Sequence, residues 1–190
     1  MLGIKDIIYR YRHNRGFGVQ SPYAFHFVTS VIAEKYAYYA YPAINKAAAK
    51  CGYKAAHARM LFRLANYIRP QSIFMYASGE AAACALSMAR PSVQTSVLSD
   101  GGIFAAGQTF GLLYVGGVSA DATAVVARAI ECASSDSAII VEGIHRSRET
   151  SKWWHAIKQN PDVAVTFDLY SMGILFFDKN YKKQNYTLKK

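Results

Sequence analysis

The order of apolar and polar positions divides the chain into two halves with different grammar. LGIKDIIYRYR places apolar residues at Leu2, Ile4, Ile7, Ile8 and Tyr11, close to helical spacing. Gly16 and Gly18 end that segment. Ser21-Pro22 then restarts the chain, with a capping residue followed by the residue favoured at a first helical position. A second helix is expected through YAFHFVTSVIAEKYAYY, residues 23–39. A third, after Pro42 and over residues 44–68, is expected to break near Gly52 and to stop at Pro70.

From Gln71 onward the apolar runs shorten and alternate with helical patterns. SIFMYA reads as a buried strand, GEAAACALSMA as a helix, and TSVLSD as a second strand. FGLLYVGG is a third strand, ADATAVVARAIECASS a helix, SAIIVEG a fourth strand, and HRSRETSKWWHAIKQN an amphipathic helix. DVAVTFDLY and GILFFDK read as two closing strands joined by Ser171-Met172-Gly173 in a hairpin. Alternating strands and helices predict an α/β fold: a Rossmann-like, mostly parallel sheet with helices on both faces and a C-terminal antiparallel hairpin. Residues 1–70 would form a helical extension packed on the core, and residues 71–190 the sheet domain, as one globular unit.

Composition narrows the class. With 52% hydrophobic and 18% charged residues in 190, the chain is a folded globular protein with a real core. It has no apolar run of about 18 residues and no apolar leader at its start, so a cytoplasmic protein without a membrane span is expected. Cys51, Cys84 and Cys132 lack metal-type spacing and read as reduced, buried thiols. The net charge of +10 draws attention to basic residues near both ends, at Lys5, Arg10, Arg12 and Arg15, and in YKKQNYTLKK. Such termini keep a protein soluble, or else attract nucleic acid or another acidic partner. Stacking by Tyr36, Tyr38, Tyr39 and Tyr41 would help the second role.

Three stretches carry a more specific signal: GFGVQSPYAFHFV, ARMLFRLANYIRP and EGIHRSRETSKWWHAIKQNPDVAVTFDLYSMGILFF. Together with the element order, they resemble the class I S-adenosylmethionine-dependent methyltransferases, and within them a group of small bacterial members of Bacteroidetes type. The resemblance implies a strand order 2-1-4-5-7-6 in that family's naming. It also implies an S-adenosylmethionine site at the ends of the first strands. There the family carries an acid and a glycine-rich loop, where this chain has Tyr76, Ser78 and Ala82. Ser78, Gly79 and Glu80 are what remains of that loop, and Glu80 is a candidate to replace the acid.

Asp100, with Gly101, lies about twenty residues further on, where the family's carboxylate holds the ribose; the same pair also makes a simple turn. The family's Asp at the next strand end corresponds to Gly116, and its Asp-Asp pair to Glu142-Gly143. A single Glu142 falls short of a magnesium shell, so no metal is expected. The family has a helix, a strand and a second helix where GGIFAAGQT stands alone, which predicts a cofactor pocket open on one side. Glu142 and His145 are the candidate catalytic residues. His145 is either a general base for a hydroxyl nucleophile or a helix N-terminal histidine bonded to backbone. At least one of Trp153 and Trp154 should pack on the sheet.

These departures predict a truncated, degenerate relative that keeps the fold, with cofactor binding and catalysis lost or severely weakened. Such a pseudoenzyme would act through its surface, as a homo-oligomer covering an exposed sheet edge or as a weak nucleic-acid-binding module.

Overall fold

The computed structural model describes residues 21–98 and 108–188. The first expected helix, Asp100 and Gly101 lie outside the described residues. Helix α1 (Pro22–Phe27) starts where the capping signal places it, with the Ser21 hydroxyl accepting from the Ala24 amide at 3.4 Å. It widens into a π-helical turn (Val28–Ile32) as Thr29 Oγ1 donates back to the Phe25 and His26 carbonyls. The helix ends well short of residue 39. Just beyond Ile32, the Glu34 carboxylate accepts from the Tyr36 amide at 2.7 Å, a local bond that competes with helix formation.

Helices α2 (Tyr41–Lys50) and α3 (Ala55–Ile68) are separated at Gly52, whose φ is +63°. Helix α2 begins one residue before Pro42 rather than after it.

Seven strands follow: β1 (Ile73–Tyr76), β2 (Thr95–Leu98), β3 (Leu112–Val115), β4 (Ala138–Glu142), β5 (Val165–Asp168), β6 (Met172–Phe176) and β7 (Gln184–Thr187). Helices α4 (Glu80–Ala89), α5 (Ala120–Glu131) and α6 (Arg148–Gln159) connect them. The sheet runs β2-β1-β3-β4-β6-β5-β7, with only β6 antiparallel to its neighbours. The first six strands follow the expected 2-1-4-5-7-6 order. Strand β7 is an addition, because its polar sequence QNYT carries no strand pattern and it lies parallel to β5 at the sheet edge. The hairpin turn is Leu169 to Ser171 rather than 171–173, so Met172 and Gly173 pair within β6.

Alternation divides the core into two layers. Ile73, Met75, Leu112, Tyr114, Ala138 and Ile140 pack with α1 to α4 on one face. Leu113, Val115, Ile139 and Val141 pack with α5 and the α6 residue Trp154 on the other. Small residues on α4 (Ala81, Ala82, Ala85, Ala89) are all buried in the first layer, which lets that helix sit close to its neighbours. The thiols are not buried as expected. Cys51 is exposed, Cys84 and Cys132 are half-buried, and none of the three is in a disulfide. No described helix is long and apolar enough to cross a membrane.

Candidate functional site

One register row crosses all seven strands: Leu98, Tyr76, Val115, Val141, Gly173, Asp168 and Thr187. It marks the edge where the parallel strands end, the place at which open α/β sheets bind ligands. Of the expected site residues, Ser78, Gly79, Glu80, Gly116, Glu142 and His145 all lie just beyond this row.

At the end of β1, Tyr76 is buried in the core layer of α5 and α6, where the resemblance asks for an acid. Ala77 follows with φ +49°, a left-handed conformation that suits glycine better. That turn aims the Ala77 carbonyl at Gly116, whose amide donates to the Tyr76 carbonyl at 2.9 Å. A Cβ on Gly116 would lie 2.1 Å from the Ala77 oxygen. Glycine at 116 therefore allows two strand ends to touch, and its role here is packing.

Gly79 caps α4 and has open space around its Cα, so the helix N-terminus stays accessible. Glu80 does not turn toward the strand ends. It is exposed and pairs with Lys50 of α2 at 3.1 Å.

Glu142 and His145, the two candidate catalytic groups, are not brought together. Glu142 accepts a short hydrogen bond from the Tyr53 hydroxyl, supplied by the link between α2 and α3, and Tyr114 of β3 adjoins both. Burial above all, then the neighbouring Tyr114 and Glu142, pushes the Tyr53 hydroxyl far above the ordinary tyrosine range. Burial and Glu142 act the same way on Tyr114. Both tyrosines keep their protons in the fold at a pH where the unfolded chain has lost them. Stability is thus full below about pH 10 and falls as pH rises beyond it, by up to about 1.4 kcal/mol per pH unit for each tyrosine. Urea unfolding at about pH 8.5 and about pH 11 should show this fall, and Tyr53→Phe with Tyr114→Phe should flatten it. A slope unchanged in that double variant would refute the assignment.

His145 faces the other side of the sheet. Its Nε2 lies 2.7 Å from Asp168 Oδ2, its Nδ1 lies 3.1 Å from Ser151 Oγ, and Tyr170 stacks on the ring at 5.4 Å. The partners are side chains, so the expected backbone bond is replaced. Asp168 is buried and also accepts from Trp154 Nε1 at 3.1 Å and from the Tyr170 amide at 2.9 Å.

A serine, a histidine and an aspartate in a row suggest a proton relay, but the donors argue otherwise. Ser151 Oγ donates to the Ser147 carbonyl at 2.8 Å and also lies against His145 Nδ1, so its hydroxyl is committed within the helix turn. Both ring nitrogens of His145 are engaged inside the chain, Nε2 by Asp168 and Nδ1 by Ser151. Ser151 is thereby a clamp for the imidazole rather than a nucleophile. Among the described residues no group of three or more His, Cys, Asp or Glu could hold a metal ion.

Sequence reasoning missed Tyr53, Tyr114, Ser151 and Asp168. Only Asp168 carries a signal, as a lone carboxylate inside the apolar run VAVTFDLY.

Among solved structures, the chain is similar to the SAH-bound methyltransferase PaMTH1 of Podospora anserina. Identity is 8% and the TM-score 0.51, over 73% of this chain and 86% of that one. It is also similar to the O-methyltransferase TomG of Streptomyces achromogenes, involved in tomaymycin synthesis and solved with SAM. There identity is 13% and the TM-score 0.48, over 88% of this chain and 98% of that one. No known family's sequence profile matches the chain, and no curated protein does. At such identities the PaMTH1 likeness shows the fold alone: a Rossmann-like, mostly parallel α/β sheet with a C-terminal antiparallel hairpin.

Proposed function

We propose that this chain is a methyltransferase-like protein that has lost, or nearly lost, S-adenosylmethionine binding and catalysis. The carrying observation is that the polar groups at the strand ends already have partners within the chain. Glu142 is held by Tyr53, and Glu80 is paired with Lys50. Tyr76 is buried apolar surface where an acid would face the cofactor's methionine part. Gly116 is filled from above by the Ala77 carbonyl.

The described residues therefore fit the cofactor poorly, despite the accessible α4 N-terminus at Gly79. Asp100 and Gly101, the expected ribose contact, lie outside the described residues. Methyl transfer relies mainly on orienting donor and acceptor, so without a defined donor site little rate enhancement remains.

Calorimetric titration tests the reading directly. S-adenosylmethionine and S-adenosylhomocysteine are each expected to give no binding heat up to about 1 mM, a standard free energy weaker than about −4 kcal/mol. Micromolar binding of either would overturn the proposal, and its loss in Asp100→Ala would assign the ribose contact.

A further inference from the structure

The larger share of this protein's net positive charge falls in its first 72 residues. Of the twelve acidic residues, only Asp6 and Glu34 precede residue 73, against eleven Lys and Arg in the same stretch; the remaining chain is nearly balanced. The described part of that stretch is α1 to α3, which cover one face of the sheet.

Two cavities open on its surface, one on each side of Arg63. The first, about 470 Å³, is lined by Tyr38, Arg63, Asn66, Tyr67 and Arg69, among others. The second, about 250 Å³, is lined by Lys35, Tyr36, Tyr41, Arg59 and Arg63, with Glu34 as its acid. The short segment after α1 serves both cavities, placing Tyr36 in one and Tyr38, two residues later, in the other.

Arg63 is fixed between the cavities. Its Nε donates to the Val31 carbonyl at 2.7 Å and its Nη1 to the Tyr41 hydroxyl at 2.9 Å. Arg59 lies over the Tyr41 ring, 5.4 Å from its centroid. Tyr36 exposes 79% of its surface, and Arg69 and Lys35 are exposed as well. Cations alternating with aromatic rings along a groove form the combination that tracks a phosphate backbone while stacking its bases. A lipid surface would be met by a convex apolar face instead, and here the charges and rings line concavities.

We infer that the α1–α3 face is a binding groove for single-stranded nucleic acid, running past Arg63 from the Lys35–Tyr36 side to the Tyr38–Arg69 side. The expected mode is independent of base sequence, because every base offers a ring face and the cations reach only phosphates. This groove is separate from the strand-end site, so it stands or falls independently of the loss of cofactor.

The test is fluorescence anisotropy of the full chain with a labelled oligouridylate of about 12 nucleotides, from about 20 to 200 mM salt. Binding at low salt should weaken steeply as salt rises. Lys35→Glu with Arg69→Gly removes two exposed cations, the second at a left-handed position (φ +52°) that glycine suits. That pair should weaken binding at least tenfold. It should also make the slope of log K against log salt shallower by about 1.4, since each lost phosphate contact on a single strand removes about 0.7. Tyr36→Ala should weaken binding about five- to a hundredfold and leave the slope unchanged. Lys152→Glu with Lys182→Glu, cations of the sheet half, should change neither, and thermal melts should match wild type for all three variants. Three results would overturn the groove: no binding at about 20 mM salt, equal losses in the control pair, or binding to phosphatidylserine vesicles with the oligonucleotide ignored.

Discussion

Trp154→Ala is expected to destabilise the protein by about 3–5 kcal/mol, close to the whole margin of a marginal domain. Trp154 is fully buried in the layer between α6 and the sheet, and its six-membered ring lies directly on Gly173 of β6. A Cβ at Gly173 would come within 2.4 Å of the indole Cη2 and 2.6 Å of Cζ3, so the ring fills the space a side chain would occupy. Gly173→Ala alone should therefore cost about 1–3 kcal/mol by overpacking. In a Trp154→Ala background the same change should cost almost nothing, because the obstructing ring is gone. Urea unfolding followed by far-UV circular dichroism gives both numbers and their coupling. Additive costs for the two substitutions would show that the ring and the glycine do not depend on each other.

This pair also shows why the fold was legible and the site was not. The short runs IFMY, LLYV and AIIVE announce buried parallel strands because nothing polar interrupts them, and the small and apolar residues between them announce helices. The Trp153-Trp154 doublet was correctly expected to send one ring into the core, since neighbours on a helix point about 100° apart. Strand β7 was not legible. QNYT is exposed or half-buried, and it is held as a strand by partners distant in sequence: the Gln184 amide on the Ala164 carbonyl at 3.0 Å, the Thr166 hydroxyl on Asn185 Oδ1 at 2.7 Å, and Tyr186 stacked on Phe167 at 5.0 Å.

The site depends on contacts of long sequence separation, which no local pattern encodes. Tyr53 reaches Glu142 across 89 positions, and His145 meets Asp168 across 23. Glu142 and His145 are three residues apart and look like partners, yet the sheet edge sends them to opposite faces. The basic runs at the termini stand out in the sequence, whereas the shortage of acids through residues 1–72, Asp6 and Glu34 alone, shows only when both signs are counted together.

Asp168→Ala is the second substitution expected to cost about 3–5 kcal/mol, and the cause is polar rather than volumetric. The side chain of Asp168 is 3% exposed and takes protons from three directions: His145 Nε2, Trp154 Nε1 and the Tyr170 amide. These donors belong to the loop after β4, to α6 and to the hairpin turn, so one carboxylate fastens three segments. Its removal leaves a buried indole N–H and a partly buried imidazole without an acceptor, and an unmade buried bond costs more than a made one contributes. Asp168→Asn keeps one acceptor oxygen but presents an amide N–H₂ to the remaining donors, so an intermediate loss of about 1.5–3 kcal/mol is expected. His145→Ala should cost less in the Asp168→Ala background than in wild type, because the imidazole has by then lost its carboxylate partner. The same urea titrations measure all four proteins. A loss under about 1 kcal/mol for Asp168→Ala would mean that water replaces the carboxylate and that the three segments are held by packing alone. A loss near the upper figure, with coupling to His145, makes this cluster a structural fastening of the three segments.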